Sequence, residues 1–389
     1  MPGFGHWHKI KNVRGRAGAP STESDTTMNR FCLTVLALLL LIVGAAAAQE
    51  FGSEPVSAGS ITRLVPVQTV EFADAPAEAG DLINGWFALS SDGNRLVSMN
   101  RAGGLVLWDA DGRWLDTYSI RGADGQPATV LDAAFSVDDS RVVSLHSDGA
   151  GYTIAVRDLA DGALTLIPFP NAPDVPMTVW LDQSLPAVWL EVITADPRQP
   201  PYVLRLPLEQ EGGPAVVQLP SGPEADPDAV VRIGRIAPPL AITSSAAGVV
   251  KLWNLQTGDM TAQVELGEVP SFGRVNELIG THLAWRDNES QALHLLDFSS
   301  GQDRRVAALD GAYAQAILLS PAADVIVAVN LDLQPVVVAW DAATGVRYDL
   351  GEYRACGRTP DMVRLSRDGT TLVIGCDDGF EGWRVTGGG

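Results

Sequence analysis

Residues 88–115, ALSSDGNRLVSMNRAGGLVLWDADGRWL, read as four short apolar strands separated by three turns. Ser90-Ser91-Asp92-Gly93 and Asp109-Ala110-Asp111-Gly112 are tight-turn sequences. Glycine takes the left-handed position, and the Asp side chain folds back on its own backbone. Arg101-Ala102-Gly103-Gly104 supplies the middle break. Strands of five or six residues joined so closely form an antiparallel meander.

The same unit recurs along the chain. Its first half returns as AAFSVDDSRVVS (133–144), ILLSPAADVIVA (317–328) and VRLSRDGTTLVIG (363–375). Its second half returns as IAVRDLADGALTL (154–166), VKLWNLQTGDM (250–260), LHLLDFSSGQD (293–303) and VVAWDAATGVR (337–347), with a weaker copy at VLRLPLEQEGG (203–213) and a truncated one at FEGWRV (380–385). Measured at the Trp108 position, the series runs Trp108, Arg157, Leu206, Trp253, Leu296, Trp340, Trp383, in steps of 43 to 49 residues. A four-stranded unit repeating at this period implies stacked blades, because a lone blade is apolar on both faces and buries neither. Runs such as VIVAV (325–329) read as strands covered on both sides.

These motifs resemble the WD-repeat family over residues 60–385. Trp-Asp stands at Trp108-Asp109 and Trp340-Asp341, with relatives at Arg157-Asp158, Trp253-Asn254 and Leu296-Asp297. The family's Gly-His pair is absent, and His146, His282 and His294 do not fall at its place. The expected fold is all-β: a seven-bladed β-propeller of four-stranded antiparallel blades over 61–385. The last repeat stops after three strands, at Val385, and ITRLVPVQTVEF (61–72) is a strand without a partner. In the family an N-terminal strand completes the last blade, so this strand is expected to close the ring and remove an open edge. Trp108, Asp109, Trp253, Trp340, Asp341 and Trp383 are expected to be structural: tryptophans as plugs between blades, carboxylates in the turns.

Upstream of the repeats, FCLTVLALLLLIVGAAAA (31–48) has a 13-residue apolar core, Met28-Asn29-Arg30 before it and an Ala-x-Ala site ending at Ala48. This reads as a signal peptide over 28–48, preceded by an extension, 1–27, that does not belong to the fold. A linker follows at 49–60, and residues 386–389 form a tail. The expected location is secreted or periplasmic. An uncleaved run would instead anchor the chain to a membrane. Cys32 precedes the apolar core and is not placed as a lipoprotein cysteine would be. Cys356 and Cys376, both assigned to blade seven, are expected to form a disulfide in an oxidising compartment.

The chain carries a net charge of −20; residues 1–48 hold five basic and two acidic side chains, so 22 basic and 45 acidic ones remain beyond them. A surface so acidic repels nucleic-acid backbones and anionic lipid headgroups. No nucleophile elbow, His-Glu-x-x-His, Cys-x-x-Cys or phosphate loop occurs. Asp109-Ala110-Asp111-Gly112 and Asp377-Asp378-Gly379 lack the later acidic ligand of a calcium loop. Asn288-Glu289-Ser290 is a lone glycosylation sequon. Neither a metal nor a cofactor is expected. The family resemblance implies a monomeric, non-catalytic scaffold that binds a protein or a cell-surface polymer through its loop-rich rim. Arg101, Arg198, Arg286 and Arg354 are the candidate contacts there, pairing with partner carboxylates. Two alternatives stay open. One is a lactonase-like or quinoprotein-like enzyme using Asp132, Asp182, Glu277 and Asp361 of the inner strands; the other is an assembly component docked to membrane machinery.

Overall fold

The computed structural model describes residues 54–386 except 72–74, 81, 110, 123–124, 171–173, 183–186, 196–201, 209–214, 218–229, 234–239, 246–247, 267–276, 288–289, 291, 310–313, 332–333, 355–359, 361 and 377–378. The expected signal peptide, the N-terminal extension, Cys356 and Arg198 therefore lie outside the described residues, as does the side chain of Cys376, so the expected disulfide does too.

The described strands form seven four-stranded antiparallel sheets. Six are consecutive blades over 82–119, 129–168, 175–217, 230–265, 277–308 and 314–352. The seventh takes three strands from the C-terminus, Met362–Leu365, Thr371–Cys376 and Gly379–Val385, and its fourth from the N-terminus, Leu64–Glu71. The closing register runs from Leu64 opposite Val385 to Glu71 opposite Gly379, with a bulge between Pro66 and Gln68. Residues 61–63, expected to begin this strand, form a 3-10 turn. Blade one packs on blade seven through their first strands, and the ring closes. The run VIVAV lies in the second strand of blade six, with both faces buried.

In blades one, two, six and seven the first–second turn is held by a serine. Ser90, Ser136 and Ser366 each donate a hydroxyl to the Asp two residues on, at 2.7–2.8 Å, and accept the backbone N–H of the residue five on, at 2.8–2.9 Å. Ser320 accepts the Val325 N–H in the same way but donates to Asp324, four residues on, because position 322 is alanine. The fourth turn residue takes positive φ: Gly93 and Gly369, but Asp139 at 56° and Ala323 at 55° in blades two and six. The carboxylates of the Trp-Asp motifs act in the third–fourth turns. Asp109 Oδ1 accepts the N–H groups of Asp111 and Arg113, and Asp341 Oδ1 those of Ala343 and Thr344.

The tryptophans Trp108, Trp253, Trp340 and Trp383 are all buried. What receives their indole N–H varies. Trp108 donates to Ser98 Oγ and Trp253 to Thr243 Oγ1, both at 2.9 Å. In each case the acceptor stands on the second strand, two residues beyond the tryptophan's register partner. Blade seven has Ile374 at that place, and the Trp383 N–H is buried without an acceptor among the described residues. Blade five inverts the pattern: Leu296 takes the tryptophan's position, and Trp285 takes the acceptor's. Trp285 donates to Asp303 Oδ1 at 2.9 Å, and the Asp303 carboxylate also holds His294 Nδ1 at 2.8 Å.

Blade two carries Arg157 where blades one, four, six and seven carry tryptophan. Its guanidinium lies 4.4 Å from the centroid of the Tyr118 ring and pairs with Asp116, both on the outer strand of blade one. A stacked, paired arginine covers the apolar gap with its stem and keeps its charge at the rim. Beneath it, His146 Nε2 and Ser144 Oγ hydrogen bond at 2.8 Å in full burial. Burial pushes the imidazole down to about 4, the Ala128 carbonyl only partly offsetting it, so the ring is neutral.

Candidate functional site

In an antiparallel four-stranded meander, the second–third turns and the links between blades emerge at one rim, and the remaining turns emerge at the other. The first rim carries the candidate arginines. Arg101 is exposed in the second–third turn of blade one. Arg354 is exposed in the link to blade seven, where its backbone N–H donates to the buried Glu381 Oε2 at 2.7 Å. Arg286 ends the second strand of blade five, with its Nε and Nη1 buried, so its guanidinium is not presented to solvent as the other two are. Arg101 and Arg286 thus stand on blades one and five and Arg354 on the link to blade seven, while Arg198 lies outside the described residues.

A different feature of that rim stands out, on the innermost strands of blades two and three. In blade two, Val130 pairs with His146 and Asp132 with Leu145, which leaves Leu131 as an extra residue. In blade three, Pro176 pairs with Val192 and Thr178 with Glu191, which leaves Met177 as the extra residue. A bulge of this kind turns one side chain out of the alternation. Both extra residues are large and apolar, and both are exposed: Leu131 by 38% and Met177 by 47%. The two strands are tied together just beyond the bulges, where Asp132 Oδ2 accepts the Val179 N–H at 2.8 Å. Leu131 and Met177 therefore stand near the start of two adjacent innermost strands, at the end of the ring that carries the links between blades.

The inner-strand acids do not form a reactive group among the described residues. Asp132 is engaged in the contact with Val179, Glu277 is half-buried in another blade, and the side chains of Asp182 and Asp361 are not described. Among the described residues, no group of three or more acids, histidines or cysteines is placed to hold a metal ion.

No family model matches the chain, and no curated protein matches it. A solved structure does. The crystal structure of the Cps50 (Swd1) β-propeller domain of Myceliophteria thermophila is similar to it with a TM-score of 0.57 at 12% identity, over 83% of this chain and 100% of that one. The chain has a WD40-like propeller fold. At that identity the likeness concerns the propeller's architecture, which is where the repeats at 43 to 49 residues pointed. The pair of bulges was not legible in the propeller's sequence: TVLDAAF and VPMTVWLD carry no mark of an extra residue, because a bulge is defined only against the partner strand.

Proposed function

We propose that the protein is an exported, non-catalytic scaffold whose channel mouth binds a segment of a partner protein through one or two apolar side chains. The observation that carries this reading is the pair of bulges that expose Leu131 and Met177 on adjacent innermost strands. Exposing two large apolar groups at one spot on a rigid ring costs solvation unless something covers them, and bulges are retained where they aim a side chain. The acid excess beyond residue 48 favours a basic segment and speeds its approach. The apolar run ending at Ala48 supports export, and intact mass of the mature protein is expected to begin at Gln49.

The binding test compares wild type with the double variant Leu131→Ser, Met177→Ser on an array of peptides that vary in charge and apolar content. Wild type is expected to retain a set of basic peptides carrying a leucine, methionine or aromatic residue. The variant, melting like wild type, is expected to lose them by at least tenfold. Equal binding by both proteins sinks the channel-mouth reading.

A further inference from the structure

The fourth strand of every blade is an edge, and an edge offers unpaired backbone N–H and C=O groups to any extended chain. Most of the described outer strands are blunted. Each of the outer strands Trp114–Ser119, Met260–Glu265, Gln302–Ala308, Arg347–Glu352 and Leu64–Glu71 contains a charged side chain, and each has a register break against its neighbour. Charge and bulge are two of the devices that stop an edge from pairing, proline being another. The outer strand of blade three is only three residues long.

Blade two lacks both devices. Its outer strand, Leu164–Pro168 (LTLIP), has no charged residue, and its register against Tyr152–Asp158 is unbroken. The ladder fixes which groups face out. The Phe169 N–H donates inward to the Tyr152 carbonyl, and the Ala163 carbonyl accepts inward from Asp158. By alternation, Leu164 and Leu166 point their N–H and C=O outward, and Pro168 its C=O alone. The same two leucines expose their side chains, by 41% and 49%. Leu164 is in register with Arg157, whose ion pair with Asp116 reaches blade one, and the next residue there, Leu115, is 45% exposed. Outward backbone groups and two exposed leucines thus coincide on one short edge of unbroken register.

From this we infer that the outer edge of blade two takes an extended, basic-flanked segment of another protein as a fifth strand. Main-chain bonds to Leu164 and Leu166 supply the affinity, and alternate apolar side chains of the segment lie on the leucines. The missing donor at Pro168 limits the pairing to about five hydrogen bonds. Self-pairing of two such edges would bring together two bodies of net charge −20, whereas a basic segment is attracted. This inference is independent of the channel mouth, which takes side chains and not a strand.

The test is a selection of displayed eight-residue peptides on the wild-type protein, with counter-selection on Leu166→Lys, an exposed substitution that places a charge on the edge. Enriched peptides are expected to alternate apolar and polar residues with flanking lysine or arginine, and to bind Leu166→Lys at least tenfold more weakly. Methylating their alternate backbone nitrogens is expected to abolish binding on one set of positions and not on the other. Peptide binding is expected to slow hydrogen exchange at Leu164 and Leu166, and the Leu131→Ser, Met177→Ser variant is expected to bind them as wild type does. The inference is overturned if no peptide discriminates against Leu166→Lys, if methylation has no effect, or if wild type proves to be a dimer that Leu166→Lys separates.

Discussion

The carboxylate of Asp139 in blade two accepts the backbone N–H of Ser91 in blade one at 2.6 Å. It also accepts the N–H of Asp92 at 3.1 Å. The Ser91 carbonyl in turn accepts the Asp368 N–H of blade seven at 2.9 Å, so three consecutive first–second turns are chained across one rim. Asp139 makes this contact from a backbone at φ 56°, where a side chain is ordinarily disfavoured by about 1 kcal/mol. Replacement therefore separates strain from contact. Asp139→Ala, which keeps the strain and loses the contact, is expected to destabilise by about 2 kcal/mol. Asp139→Gly is expected to lose about 1 kcal/mol less. Chemical denaturation of the two variants checks the order, and Gly less stable than Ala would refute the strain.

The buried indoles make a second prediction, opposite in two blades. Ser98→Ala leaves the Trp108 N–H without its acceptor and is expected to cost about 1–2 kcal/mol. In blade seven the acceptor is already missing among the described residues. Burying a threonine in place of a valine ordinarily destabilises. At position 374, Thr is expected to be at least as stable as Val, because its hydroxyl meets the Trp383 N–H. Thermal melts of Ile374→Thr and Ile374→Val decide it, and a threonine variant that melts lower removes the argument.

Gly379 tests the closure of the ring. A Cβ there would lie 2.0 Å from the Val70 carbonyl oxygen, on the strand that closes blade seven. Gly379→Ala must push that strand away, and the expected result is faster hydrogen exchange from Leu64 to Glu71 with a lower melting point. The neighbouring glycine Gly382 has nothing within 4 Å of a built Cβ, so Gly382→Ala is the control and is expected to leave the closing strand protected.

Acid sensitivity follows from His146. Its folded pKa, near 4, lies below the ordinary histidine value of about 6.5, so the unfolded chain binds the proton first. Stability from this group is complete above about pH 6.5 and is lost as pH falls toward 4, by about 3 kcal/mol in all. The difference in unfolding free energy between pH 7.5 and pH 4.5 is expected to shrink in His146→Gln. An unchanged difference would place the acid sensitivity elsewhere.

The blade count was legible because one period runs through the whole chain, and the closing strand because 61–72 had no other partner. The Trp-Asp carboxylates were legible as turn residues for the same local reason, Asp folding back on its own backbone. What the sequence hid was relational. Arg157 looked like a weakened Trp-Asp copy, but its replacement of tryptophan makes sense only beside Tyr118 and Asp116, some forty residues away. The tryptophan of blade five was sought at Leu296 and is found at Trp285, since a plug can enter the same gap from either of two neighbouring strands. The mouth at Leu131 and Met177 depends on register, and the bare edge at Leu164–Pro168 depends on its contrast with the other edges.

The pairing of Leu64 with Val385 also sets the order in which the molecule comes into being. The segment at Leu64–Glu71 is made before any blade, and the one strand it pairs with is made after all the others. Six blades can form from neighbours in sequence while it waits, and the last step joins positions more than three hundred residues apart. The entropy of that join grows only with the logarithm of the distance, so the delay is one of synthesis more than of search. During the delay the strand stands as a single unpaired segment, and its Pro66, Gln68 and Glu71 make it a poor template for a foreign chain. Its composition suits the wait as much as the final blade.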